Sequence, residues 1–184
     1  MEKQMTDLQF LIIKNSNDEI EMGMKYNFNP SIEFNGISAT ANTAGFTPLT
    51  SIARYYNWNS RLINEASNMC NERNEIAILN NFTPNLLLVP QTKGEAEDSF
   101  LISDLFKACS AAKITTLRFT HFGFIQNEIP KKEVEVILTY IKDNSLDNSL
   151  KTIIWDIDSR HQESLSELYK KIFGNDCLFV ENAI

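Results

Sequence analysis

The stretch Gly36-Ile37-Ser38-Ala39-Thr40-Ala41-Asn42-Thr43-Ala44-Gly45-Phe46-Thr47-Pro48 decides how the rest of the chain is read. Ser31 to Ala41 has the composition of a strand, and it empties into the loop Asn42 to Pro48. Pro48 fits the first turn of a helix, where its missing N–H costs nothing, and Thr47 fits the N-cap before it. The helix then continues through Ile52, Ala53, Tyr55 and Tyr56. A strand, a loop with one glycine and a helix N-terminus in succession present backbone N–H groups to an anion.

Upstream, Leu8 to Ile13 is apolar and branched, ends at the turn Asn15-Ser16-Asn17-Asp18, and with Glu19 to Phe28 reads as a first hairpin. Downstream, Asn59 to Asn71 places Leu62, Ile63, Ala66 and Met69 at helical spacing, and Glu75 to Leu79 reads as a strand. After the turn at Asn81 to Pro84, Leu86-Leu87-Leu88-Val89 is a continuous apolar run, as expected of a strand buried on both faces. Ser99 to Ala112 is helical in period, and Ile114 to Thr120 is a strand. The loop His121 to Pro130 leads into a helical stripe through Val134, Ile137, Leu138 and Ile141. Lys151 to Ile157 is a further strand, Gln162 to Phe173 a last amphipathic helix, and Cys177 to Val180 an edge strand. Strands alternating with helices predict an α/β three-layer sandwich, a mixed central sheet flanked by helices, in a single domain over 1–184.

The chain has 184 residues with 17 Lys+Arg against 24 Asp+Glu, a net charge of −7. Such a chain lacks the cationic field that coats nucleic acid, so non-specific nucleic-acid binding is not expected, whereas a ligand with one or two phosphates is compatible. No apolar run is long enough to span a bilayer, and Met1 to Gln4 does not open a signal peptide, so no membrane association and a cytoplasmic location are expected. Cys70, Cys109 and Cys177 are odd in number and widely spaced, which predicts reduced, buried thiols rather than disulfides or zinc ligands. His121 and His161 sit in no metal-binding pattern, and no metal or cofactor is expected.

Two loops join a strand to a helix N-terminus, Ala41 to Pro48 and His121 to Pro130, each with one glycine, Gly45 or Gly123. Neither matches a Walker or dinucleotide-binding glycine pattern. An ordered resemblance nevertheless spans about Tyr26 to Phe173. Gly36-Ile37-Ser38-Ala39-Thr40-Ala41-Asn42 stands where the macro-domain family carries a strand ending like A-I-V-N-A-A-N, and the second asparagine is kept as Asn42. Ala77 to Pro90 is similar to the family's strand-turn-strand, Ala112 to Thr120 with Phe122-Gly123-Phe124 and Pro130 to its next strand and glycine loop, and Thr152 to Asp156 to its final strand. The chain resembles a divergent macro domain.

The resemblance implies binding of ADP-ribose or a related nucleotide-derived ligand between the two loops. Phosphates would lie against N–H groups around Gly45 and Gly123-Phe124 and the adenine near Asn27 and Asp156, with Asn42 placed to bond a ribose, Phe122 and Phe124 to pack on a ribose or base, and Phe46 and Thr47 among the ligand-binding residues of the first loop. Departures accompany it: the family's G-G-G-V-type segment is reduced to Thr43-Ala44-Gly45-Phe46-Thr47-Pro48, and Ala39 replaces the first asparagine. The segment Thr47-Pro48-Leu49-Thr50 has no carboxylate where several macro-type hydrolases carry one, which implies weak or absent hydrolase activity.

Each residue also has a plainer role. Asn42 serves equally well to bond local backbone. Phe122 and Phe124 serve to cover a core edge, His121, whose imidazole suits a general base, to face solvent or fill a structural position, and Asp158 to cap a helix. Arg54 and Arg118 suit a phosphate, and Arg118 equally a surface ion pair. Glu65 and Glu72 fit a solvated helix face. Two other functional classes stand beside the binding module. One is a protein-interaction module with a decayed pocket, recognising for instance a toxin or phage component. The other is an ADP-ribosyl or phosphoester hydrolase whose catalytic residues lie outside those named.

Overall fold

In the computed structural model, the described residues are 9–15, 32–43, 47–91, 101–122, 128–144, 149–174 and 179–181. They form the strands β1 (Gln9–Asn15), β2 (Gly36–Thr40), β3 (Ala77–Leu79), β4 (Asn85–Val89), β5 (Thr116–Phe119), β6 (Thr152–Asp158) and β7 (Phe179–Glu181). The helices are α1 (Pro48–Tyr56), α2 (Ser60–Arg73), α3 (Ile102–Ala111), α4 (Lys131–Asn144) and α5 (Gln162–Phe173). The strands join in one sheet of order β3-β4-β2-β5-β6-β1-β7. Among these strands the β3–β4 pair alone is antiparallel, with Ala77 opposite Leu88; the other neighbours run parallel. The sheet is therefore mixed, as the alternation of elements predicts.

Strand periodicity sorts the core into two layers. On one face Leu87, Val89, Leu117, Phe119, Ile153, Trp155 and Ile157 pack with Leu105, Phe106, Ile137, Leu138, Leu165 and Tyr169 of α3, α4 and α5. On the other, Ile37, Ala39, Leu86 and Leu88 pack with Leu49 and Ile52 of α1 and Ile63 and Cys70 of α2. Leu86 to Val89 belongs to both layers in alternation and is 0 or 1% exposed throughout, which is why that run lacks an amphipathic pattern.

Local chemistry sets the helix boundaries. Thr47 caps α1 through a capping box with Thr50, Pro48 takes the first turn, and Asn57 closes the helix in the left-handed conformation. Asn59 caps α2 by accepting from the Arg61 and Leu62 N–H groups, so it precedes the helix instead of opening it. Asp158 does not cap α5 directly; it accepts from the Arg160 N–H at 2.9 Å, at the 3-10 turn Ser159–His161 that leads into the helix.

Three expectations are corrected. The partners of β1 are β6 and β7, both parallel and both from the far end of the chain. Along Phe10 to Ile12 both of its edges are thus occupied by strands other than the expected hairpin mate, whose residues, 19–28, lie outside the described residues. Of the strand expected over Ser31 to Ala41, Gly36–Thr40 form the strand among the described residues, and Ser31 lies outside them. Just before the strand, Asn35 is bonded to both neighbouring strands through its backbone, and its side-chain oxygen accepts from the N–H groups of Thr115 and Thr116, both at 3.1 Å. Arg118 makes a buried ion pair instead of a surface one.

Candidate functional site

β2, β4, β5 and β6 run parallel, so their carboxyl ends lie on one edge of the sheet. The chain leaves β2 through Thr40 to Thr43 and returns at Thr47 into α1; it leaves β5 through Thr120 to Phe122 and returns at 128 into α4. Because β2 and β5 are neighbours, these two exits stand side by side.

The exit from β2 is held by a succession of hydrogen bonds. The Ala41 N–H donates to the Val89 carbonyl at 2.8 Å, extending the ladder one residue beyond the strand. The Asn42 N–H then folds back onto the Thr40 carbonyl at 2.8 Å, a three-residue turn that bends the chain off the sheet. The Thr47 hydroxyl donates to the Asn42 carbonyl at 2.6 Å and also receives the Thr50 N–H at 3.3 Å. One threonine thus caps the helix and ties the loop's two ends together. From α2, the Asn71 amide donates to the Ala41 carbonyl at 2.6 Å and accepts the Gln91 N–H at 2.8 Å.

The exit from β5 is anchored by His121. Ser38 and Thr40 point to the same sheet face, and their hydroxyls lie 3.0 Å from His121 Nε2 and 3.2 Å from Nδ1. The ring packs edge-on against Phe119, which packs against Trp155, whose indole N–H donates to the His121 carbonyl at 2.7 Å. Burial pushes the His121 pKa down to about 3, so the ring is neutral and bridges two hydroxyls. A histidine 2% exposed and occupied on both nitrogens serves the fold, in line with the structural reading of this residue. Phe122 follows with φ of 63°, a left-handed conformation that turns the chain away from the sheet, and its ring rests on the core layer of α3, α4 and α5.

The structure therefore brings Asn42, Thr47 and Phe122 to the edge formed by β2 and β5, whereas Asn27, Gly45, Phe46, Gly123 and Phe124 lie outside the described residues. Asp156 is not at that edge as a ligand contact. It is 1% exposed, and both carboxylate oxygens accept from Arg118 Nε, at 3.0 and 3.1 Å. A carboxylate in a parallel strand faces a cation two residues back on the neighbouring strand, and the charge-assisted hydrogen bonds between them offset the cost of burying both. Arg118 also lies over the Phe34 ring, 5.4 Å from its centroid.

Two side chains of this region, Asn71 and Ser38, escape motif reading. Asn71 has no distinguishing trace in sequence, since the same helix also carries Asn64 and Asn68. Ser38 has none beyond being polar in a buried strand. Of the cysteines, Cys70 and Cys109 are free and buried, and burial raises their pKa values to about 11 and about 12; Cys177 lies outside the described residues. Among the described residues no helix is long and apolar enough to cross a membrane.

No family model matches the sequence. No curated protein matches it either. Solved structures do. The chain is similar to a mutant form of a macrodomain of Oceanobacillus iheyensis, with a TM-score of 0.56 at 13% identity, over 93% of this chain and 94% of that one. It is also similar to a Trypanosoma brucei macrodomain, with a TM-score of 0.50 at 14% identity, over 76% of this chain and 61% of that one. At such identities the likeness concerns the backbone, and it agrees with the order of strands and helices found here: the chain has a macro-domain-like α/β fold.

Proposed function

We propose that this protein binds ADP-ribose, or a related nucleotide-derived ligand with phosphates, in a cleft that would lie between the loop after β2 and the loop after β5. The observation that carries the reading is the pairing of β2 with β5. It sets two strand-to-helix loops beside each other at the carboxyl edge of a parallel sheet, the position where open α/β sheets receive phosphate-bearing ligands. Macrodomain structures of the same fold support the ligand class.

In this reading N–H groups around Gly45 and Gly123-Phe124 hold the phosphates. Asn42, Phe46, Thr47 and Phe122 shape the walls, and Asn27 meets the adenine. Asp156 drops out of the contact set because Arg118 holds it in the interior. The activity proposed is binding, with weak or no hydrolysis. The hydroxyls of Thr47 and Thr50 are engaged in capping, and Thr47-Pro48-Leu49-Thr50 carries no carboxylate to activate water.

Calorimetric titration with ADP-ribose, alongside ADP and a Gly123→Glu variant, tests this. Micromolar binding that the variant loses is the expected result. No heat and no thermal shift at millimolar ligand overturns it.

A further inference from the structure

We propose that Asn71 is a positioning residue of this cleft, fixing the direction in which the Asn42 side chain leaves the backbone; the inference rests on the cleft reading above. The direction of a Cα–Cβ bond is set by the two peptide planes that meet at that Cα. At Asn42 both are held. The plane before it carries the Ala41 carbonyl, which receives the Asn71 amide at 2.6 Å, and the Asn42 N–H, which donates to the Thr40 carbonyl at 2.8 Å. The plane after it carries the Asn42 carbonyl, which receives the Thr47 hydroxyl at 2.6 Å. Thr40 holds the turn from the last residue of β2 and Thr47 from the N-cap of α1, the two elements that the loop joins. Asn71 acts from α2, an element outside the loop.

The carboxamide suits this place for a reason specific to asparagine. Asn71 must donate to a carbonyl and accept from the Gln91 N–H, 2.8 Å away, so one planar group bridges the chain ends of β2 and β4. The two backbone partners also settle which end of the amide is oxygen and which nitrogen. Aspartate keeps the acceptor but sets an anion against the Ala41 carbonyl, and leucine keeps the approximate volume with neither function. The arrangement spans α2, the exit of β2 and the exit of β4, so it ties the first loop of the cleft to the rigid sheet and helix layer.

The test compares wild type, Asn71→Asp, Asn71→Leu and the neighbouring control Glu72→Gln by amide hydrogen exchange of the ligand-free protein, urea unfolding and ADP-ribose titration. In either Asn71 variant the Asn42 amide is expected to exchange at least tenfold faster while amides in the middle of α2 keep their rates. ADP-ribose affinity is expected to fall at least tenfold in the same variants and to be unchanged in the control. Asn71→Leu keeps the test open should the introduced charge of Asn71→Asp unfold the chain. Unchanged exchange at Asn42 in a folded variant overturns the inference whatever the ligand does. Faster exchange with wild-type affinity overturns the link from Asn71 to the cleft. Faster exchange in a protein whose wild type does not bind ADP-ribose supports the clamp on Asn42 and overturns the ligand reading alone.

Discussion

Arg118 Nε stands 3.0 Å from one oxygen of Asp156 and 3.1 Å from the other, with both side chains almost wholly buried between β5 and β6. Removing one partner leaves the other charged and desolvated, a loss of about 3–5 kcal/mol for buried pairs. Asp156→Ala is therefore expected to lower the urea midpoint sharply. The double variant Arg118→Met with Asp156→Leu should be less destabilised than the sum of its single changes. Additive losses would show that the two residues do not act as a pair.

The pH dependence of stability has a defined sign at His121. Its ordinary pKa of 6.5 falls to about 3 in the folded protein, because burial disfavours the imidazolium. Below pH 6.5 the unfolded chain takes up a proton that the folded chain refuses. Stability is thus fully present above that value and is lost progressively as pH falls toward 3, at about 1.4 kcal/mol per pH unit for one proton. Urea unfolding at about pH 7 and about pH 5, on either side of the ordinary histidine value, should show the loss in wild type and a flatter profile in His121→Gln. Equal slopes in the two proteins would remove His121 as the source.

At Gly36 a Cβ would lie 2.5, 2.7 and 2.8 Å from three side-chain atoms of Ile114, which is itself fully buried. Gly36→Ala should cost about 1–3 kcal/mol by overpacking, and Ile114→Val in the same chain should restore part of it. Differential scanning of the two variants reads the effect; an unshifted transition in Gly36→Ala contradicts the contact.

Thiol chemistry gives a separate check on the core. Cys70 and Cys109 are buried with pKa values of about 11 and about 12, so neither forms appreciable thiolate near neutrality. Both should resist a thiol reagent in the native protein and react promptly in urea, with peptide mapping separating them from Cys177. Fast labelling of Cys109 in native buffer would mean that the layer of α3, α4 and α5 opens more readily than its packing implies.

Where local chemistry decides structure, the sequence is readable. Thr47-Pro48 marks a helix start because cap and proline act within one turn, and Leu86 to Val89 marks a doubly buried strand because no exposed position interrupts it. Partners distant in the chain are not readable in this way. Nothing in Gln9 to Asn15 states that its neighbours are β6 and β7, and the polar turn after it suggests a hairpin instead. Asp156 has the same character: its position at a strand end invites a ligand role, and only the register of β5 against β6 reveals that Arg118 claims it. Asn42 and Thr47 stand out by motif, whereas Asn71, which bonds the peptide between Asn42 and the sheet, comes from a helix whose docking no local pattern encodes.

The place of β1 between β6 and β7 has a consequence for how the chain is made. Translation delivers Gln9 to Asn15 early, yet both ladders that satisfy this apolar strand wait for residues beyond 150. Until then its main-chain donors and acceptors lack those two ladders, and its pairing closes the largest loops among the described strands. The half of the sheet built from β2, β3 and β4 needs no such delay, for its partners are near in sequence apart from β5. Pairings that close over such separations form more slowly than those between neighbours in sequence, so the side of β2, β3 and β4 is favoured to assemble before β1 is paired on both edges.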